Sequence, residues 1–349
     1  MRTLSKSQCL DFEELGYLVV ENLIDPGEIL DPVIEEYGGV LDRVADDLFR
    51  EDDISSRYKD LAFGERITTI YANSTRSVSA EETRDTVSNP ISQYFDFSLP
   101  FSRVTRFTPM WTGPAVFNTL IHEPLLDAVE SLIGPELFSN PVQHVRIKPP
   151  EKHLPKNEFG NPIIGVTIWH QDHGTVVEEA DDTNMLTVWF PLLDAPLEKG
   201  PLKLVPGSHK GDLLTHCREY SGNGTQFLGG TNQIPEKLFD ADRAVPVPLN
   251  RGSVLFMHKR MVHCSLPNVS DEIRWSFDLR YNPTGQPTGR PLFPGFVARS
   301  RSHPEHEFRS PDKWTEMWED ARAKMATLNQ NGQTDHKFNR WGTDHPQCA

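Results

Sequence analysis

No apolar run approaches the roughly 18 residues that a membrane-spanning helix needs; the best stretch is Tyr17-Leu18-Val19-Val20. Cysteine is scarce. The four residues present, Cys9, Cys217, Cys264 and Cys348, lie far apart and form no CxxC pair, which argues against a disulfide framework or a zinc knuckle. Basic residues are outnumbered, 35 Lys and Arg against 50 Asp and Glu, giving a net charge of −15. Binding to a phosphate backbone or to an anionic bilayer draws on clustered Lys and Arg, so neither nucleic acid nor a membrane surface is an expected partner. The GxGxxG, P-loop GK(S/T), GxSxG and HExxH patterns are all missing, which sets aside the nucleotide, hydrolase and zincin chemistries they mark. Met1 to Leu10 lacks the charged-then-apolar order of a secretory signal. The expectation is a reduced, cytoplasmic, acidic globular protein. With 37% hydrophobic and 24% charged residues in 349, the composition suits a folded core.

The early part of the chain reads as helix, strand, helix. Ser5 and Gln8 have capping-box spacing, Gly16 stops the first helix, and Tyr17 to Glu21 forms a short strand. Asp25-Pro26 then opens a helix with Ile29, Val33, Tyr37, Val40 and Val44 at three- and four-residue steps. Residues 51–110 are polar, with little periodicity. Pro114–Ile121 and Pro124–Ile133 are two further helices.

After residue 140 short Val-, Ile-, Phe- and Trp-rich runs alternate with Pro and Gly: Val142–Ile147, Ile163–Trp169, Met185–Pro191, Leu202–Val205, Val245–Leu249, Ser253–His258 and Arg274–Tyr281. Such spacing predicts a sandwich or barrel. The Pro/Gly-rich stretch Asn282–Gly295 is expected to be an ordered loop or lid, Trp314–Leu328 a last helix, and the final residues a loose tail. Without a clear linker, the chain reads as one α+β domain.

Among thirteen histidines, spacing singles out His170. In Ile168-Trp169-His170-Gln171-Asp172 the imidazole and the carboxylate are two apart on a predicted strand, hence on one face. A third ligand is offered by His263, on a late strand. Two imidazoles and one carboxylate on one side of an ion, with open positions opposite, is the arrangement of non-haem Fe(II) oxygenases. His258 is the rival for the distal position; a turn at Lys259–Met261 separates it from His263, and His263 is preferred. Arg274 offers a guanidinium fork suited to the distal carboxylate of 2-oxoglutarate.

These motifs resemble the phytanoyl-CoA dioxygenase family of Fe(II)/2-oxoglutarate-dependent oxygenases. The resemblance is carried by Trp169-His170-Gln171-Asp172, Leu186-Thr187-Val188-Trp189, Gly200-Pro201-Leu202 with Val205-Pro206-Gly207-Ser208-His209-Lys210-Gly211, and Gly252-Ser253-Val254-Leu255-Phe256 through His258, His263, Ser265, Asn268 and Arg274. It implies a double-stranded β-helix (jelly roll, cupin-like) core at 141–300, a mostly helical flank at 1–140, and a helix and tail at 301–349, all in one domain. It also implies metal ligands His170, Asp172 and His263, and 2-oxoglutarate contacts Gln171, Trp189, Ser265, Arg274 and His144. Fe(II), 2-oxoglutarate as cosubstrate and O2 are the expected cofactors. The expected reaction is hydroxylation or desaturation of an unactivated C–H bond of a small metabolite or acyl substrate, with release of succinate and CO2. Cys264 departs from the Gly that the family commonly has there. The alternatives are a cupin-type zinc hydrolase or isomerase, which needs neither Arg274 nor Ser265, and a non-catalytic metal-binding jelly roll.

Overall fold

A computed structural model of the chain describes residues 3–77, 91–100, 104–156, 162, 164–217, 233–332, 340–341 and 345–348. The expected opening is present. In α1 (Lys6–Leu15) the Ser5 hydroxyl accepts the Gln8 N–H, the Gln8 side chain accepts the Ser5 N–H, and Gly16 ends the helix at φ 78°. β1 (Tyr17–Val20) follows, and the Asp25 carboxylate then accepts the Glu28 N–H. Next comes α2 (Asp31–Arg50), which buries Val33, Tyr37, Val40, Leu41, Val44, Ala45 and Leu48 on one stripe.

Among the described residues of 51–110 are two α-helices that the sequence pattern does not announce, α3 (Phe63–Asn73) and α4 (Ile91–Phe95). The buried stripe of α3 includes Arg66, whose Nη1 pairs with Asp42 at 2.6 Å. A charged residue thus occupies an inward position and blurs the apolar period. α5 (Pro114–Leu120) and α6 (Glu123–Ile133) complete the flank.

The strands that follow are β2 (Glu136–Lys148), β3 (Leu186–Pro191), β4 (Leu202–Leu204), β5 (Val245–Val247), β6 (Val254–His258), β7 (His263–Ser265), β8 (Arg274–Pro283) and β9 (Phe296–Ser300), before α7 (Pro311–Gln330). They form a six-stranded sheet in the order β1-β6-β3-β8-β2-β9 and a three-stranded sheet β5-β4-β7, with antiparallel pairing throughout. On one face of the larger sheet Val145, Ile147, Val188, Phe190, Phe256, Trp275, Phe277 and Leu279 join the helices in a common core. Each such side chain, fully buried, contributes about 1.5–3 kcal/mol. On the other face Trp189, Leu255 and Met257 meet Leu202, Leu204 and Val247 of the smaller sheet. The two sheets therefore pack face to face.

Alternation along the strands then assigns the remaining positions to that inner face. They are His144, Arg146 and Lys148 on β2; Thr187 and Trp189 on β3; and Arg274, Ser276, Asp278 and Arg280 on β8. Lys148 pairs in register with Arg274, Arg146 with Ser276, and His144 with Asp278.

Three expectations are corrected. The run Ile163–Trp169 is not a strand over its described residues; Ile163 itself lies outside them. The segment touches β7 through one bridge, His170 to His263, and through the Ser265 N–H, which donates to the Thr167 carbonyl at 3.0 Å. The Thr167 N–H donates to the Ser265 hydroxyl instead of a carbonyl, which interrupts the ladder. Second, β9 was not anticipated. Third, Cys217 and Cys348 form a disulfide, so the spacing argument against disulfides fails; of the expected loose tail, Cys348 is fastened, while residues 333–339, 342–344 and 349 lie outside the described residues. Local spacing says nothing about partners 131 residues apart. Near the bond, Gln347 hydrogen-bonds Thr215 at 2.5 Å, Trp341 donates to the Gly174 carbonyl at 2.7 Å and stacks on His216, and Arg340 pairs with Asp181.

Reduction of the disulfide, or Cys348→Ser, should lower stability by about 2–5 kcal/mol because the loop it closes is long. Denaturant unfolding with and without a thiol reductant checks this; coincident midpoints would mean that the bond fastens nothing.

Candidate metal centre

His170, Asp172 and His263 converge. Each offers one ligand atom, and these atoms all lie within 4.8 Å of one another. The Asp172 Oδ1 is 3.6 Å from His170 Nε2 and 3.9 Å from His263 Nε2. The convergence does not come from one continuous strand, as the two-residue spacing implied. His170 sits in the bridge to β7, and the backbone turns at Asp172, the first residue of a 3-10 turn ending at Thr175.

Both rings are aimed locally. The Nδ1–H of His170 donates to the Ile168 carbonyl at 2.8 Å, and that of His263 to the Met261 carbonyl at 2.9 Å. With Nδ1 used as donor, each Nε2 is left as the lone-pair nitrogen facing Asp172. Burial, followed by repulsion from His170, lowers the His263 pKa to about 4, so the ring is neutral at physiological pH, as a ligand must be.

Asp172 is buried at 2% exposure. Burial alone would raise its pKa, but the Arg280 guanidinium and then the imidazoles outweigh it and hold the carboxyl well below the usual range. Arg280 Nη2 donates to Oδ1 at 2.5 Å, and the Thr187 hydroxyl donates to Oδ2. Two imidazoles and one ionised carboxylate, brought together before any ion arrives, suit a divalent metal that keeps open positions.

The rival histidines are placed elsewhere. His258 accepts the Arg260 N–H at 3.1 Å and packs against His209, across the turn from His263. His173 turns away to the Ala180 carbonyl, and His209 to the Glu13 carbonyl. Cys264 is buried and its thiol is pushed up to about 12, burial being the main cause, which leaves it protonated and unreactive.

Beside the ligand set the inner face is cationic. Arg274 is buried, its Nη1 donates to Ser276 Oγ at 2.5 Å, and its guanidinium lies 5.8 Å from the Trp189 ring centre. Its Nε has no hydrogen-bond partner. Lys148, a residue that sequence reasoning missed, is equally buried and donates to Ser265 Oγ at 2.5 Å. Burial first, and then the neighbouring arginines, push Lys148 well below its ordinary pKa and Arg274 to about 9. The signal for Lys148 was available: it stands four residues after His144, hence on the same face of one strand.

The Gln171 side chain is engaged by the protein itself. It donates to the Arg260 carbonyl at 2.8 Å and accepts the Leu214 N–H at 2.8 Å. His144 is half-buried at the sheet edge, with Nδ1 2.9 Å from Asp96 Oδ2. Its pKa lies below the ordinary value because burial outweighs that carboxylate.

Among the described residues, no helix is long and apolar enough to cross a membrane. The profile of the phytanoyl-CoA dioxygenase (PhyH) family matches residues 12–276. The chain belongs to that family. It is 28% identical over 165 residues to phytanoyl-CoA dioxygenase domain-containing protein 1 of Rattus norvegicus, covering 46% of this chain and 51% of that protein. To 1-deoxypentalenic acid 11-beta-hydroxylase of Streptomyces arenae it is 28% identical over 188 residues, covering 53% of this chain and 59% of the other. The chain thus spans about half the length of the curated relatives it matches. Among solved structures, the non-heme monooxygenase ThoJ superposes with a TM-score of 0.51 at 18% identity, covering 93% of this chain and 99% of that one.

Removing Arg280 as Arg280→Met strands the Asp172 carboxylate in the interior and should cost the metal-free protein about 3–5 kcal/mol. Excess Fe(II), which supplies the missing positive charge, should restore part of that loss. Denaturation curves with and without the metal test the pairing, and a loss under about 1 kcal/mol would show that Asp172 does not depend on Arg280.

Proposed function

We propose that this chain is an Fe(II)/2-oxoglutarate-dependent dioxygenase that hydroxylates or desaturates an unactivated C–H bond of a small molecule, releasing succinate and CO2. In this reading residues 1–349 form one domain, and its two facing antiparallel sheets are the double-stranded β-helix, or jelly roll. The observation that carries the reading is the buried Lys148–Arg274 pair beside the His170–Asp172–His263 set. Two cations sit out of water among their own kind, one of them with an orphaned Nε. A carboxylate delivered there would relieve both.

His170, Asp172 and His263 would hold the iron. Bound there, Fe(II) with 2-oxoglutarate and O2 supplies the oxidising power for C–H cleavage. Arg274 provides a planar fork for the distal carboxylate, and Lys148 with Ser265 provides further donors for the same group. Ser265 is two positions from His263 on β7, so the anion site and the metal site share a strand. Trp189 forms a wall against which the cosubstrate chain lies. Gln171, saturated by backbone groups, serves as a positioning residue: it braces the turn between His170 and Asp172. His144 marks the rim. Thr187 and Arg280 keep Asp172 ionised, so its carboxyl has no proton to lose when the metal binds. The zinc-hydrolase alternative has no use for a buried cation pair, which weighs against it.

The direct test is succinate release from 2-oxoglutarate by protein reconstituted with Fe(II) without oxygen and then exposed to it, across a panel of small molecules. Arg274→Ala should lose about 2–5 kcal/mol of 2-oxoglutarate affinity while iron still binds, and Arg274→Lys should also be impaired. An unchanged affinity in Arg274→Ala would remove the assigned role.

A pH signature follows from Lys148. Its pKa is depressed in the free protein, and a bound dianion raises it. Affinity for 2-oxoglutarate is therefore full while Lys148 is protonated and falls as pH rises through the depressed value, by up to about tenfold per pH unit. Calorimetric titration should show that slope in the wild type and its absence in Lys148→Met.

A further inference from the structure

We propose that Arg146 is the anchor for a carboxylate on the substrate, so that the substrate class is a small carboxylic acid; this rests on the oxygenase reading above. Four cations line the inner face of the large sheet, and three of them have an anion assigned. Arg280 is held by Asp172 and Asp278. Lys148 has the half-buried Glu151 near it, and Lys148 and Arg274 together face the place proposed for the far end of 2-oxoglutarate. Arg146 has nothing: among the described residues it makes no ion pair and no hydrogen bond. Asp96, on the same edge, is turned to His144 Nδ1 and to the Val145 N–H.

Position makes this more than an idle surface arginine. Val145 and Ile147, its neighbours on β2, point into the helical core, so alternation turns Arg146 to the inner face, opposite the fully buried Ser276. Its positive charge reaches inward, contributing to the lowered pKa values of His144, Lys148 and Arg274. Yet the Arg146 side chain is exposed. Both facts hold because β9 pairs with β2 only from Glu136 to Ser139. Over residues 144–148, among the described residues, no further strand flanks β2, and Arg146 lies exposed at this sheet edge. A cation placed there repels its two buried neighbours and is stabilised by an anion entering from outside.

The two sheet-face cations beside it are committed to the cosubstrate, whose own charge they match. What arrives next at this edge is the substrate. A guanidinium fork favours a planar carboxylate bidentately, and from this edge it would hold one end of the molecule while the other extends toward the metal ligands.

The test uses protein loaded with Fe(II) and 2-oxoglutarate under anaerobic conditions and titrated calorimetrically with paired probes: decanoate and decanamide, cyclohexanecarboxylate and cyclohexanecarboxamide. The proposal expects at least one acid to bind the wild type about tenfold or more tightly than its amide. Arg146→Ala should bring acid and amide within about twofold of each other, and Arg146→Lys should retain part of the preference, since it keeps the charge but not the fork. Iron content and 2-oxoglutarate affinity of Arg146→Ala should stay within about threefold of the wild type.

Three outcomes overturn the assignment. Acids and amides could bind the wild type alike, or the preference could survive in Arg146→Ala. A fall of about tenfold or more in 2-oxoglutarate affinity in that variant would instead give Arg146 to the cosubstrate. Wild-type protein that takes up neither Fe(II) nor 2-oxoglutarate is a different result. It sinks the oxygenase reading itself, and the proposal with it.

Discussion

The contact between Asp172 and Arg280 is the constraint on which the rest of the site depends. A carboxylate at 2% exposure is costly to ionise, and without a partner it would take up a proton and cease to be a ligand. Arg280 supplies the partner from β8, while Thr187 on β3 closes the second oxygen. The pair thereby ties a loop residue to the two central strands of the six-stranded sheet. Those strands are registered by their own apolar outer faces, with Val188, Leu279 and Phe277 set in the helical core. Packing of the α-helical flank thus reaches the candidate metal centre through an ion pair and a hydroxyl hydrogen bond.

The same sheet separates two electrostatic regimes on one face. Where Asp172 and Asp278 meet Arg280, charge is matched within the protein. Some residues along β8 and β2, at Arg274 and Lys148, it is not, and the orphaned Arg274 Nε marks the imbalance. An interior of this kind stores affinity for an anion in advance, because the donors are already desolvated and cannot turn elsewhere. The acidic surface of the protein, with its net charge of −15, makes the contrast with this cationic interior sharper.

The convergence of His170, Asp172 and His263 was legible in the sequence because they belong to short, ordered motifs, and the inward place of Arg274 because it heads a strand of clear alternation. The helical N-terminal segment was readable at α1 and α2, where capping residues and apolar steps agree. It was not at α3, where Arg66 takes an inward position through its pair with Asp42. That Arg280 holds Asp172 depends on a contact 108 positions apart. Likewise the Cys217–Cys348 bond joins ends of chain that no local pattern relates. What stayed hidden is non-local: ion pairs, a disulfide and one strand at the sheet edge.

His170, His263 and His216 share a small device, each donating Nδ1–H to the carbonyl two residues before it. Ring orientation is thereby decided within three consecutive residues. Loops around the candidate metal centre can then be rebuilt over evolutionary time, changing length and chemistry, without retuning the direction in which the Nε2 atoms point. The same economy would let a protein engineer graft new pocket walls onto this scaffold and expect the ligand set to keep its aim.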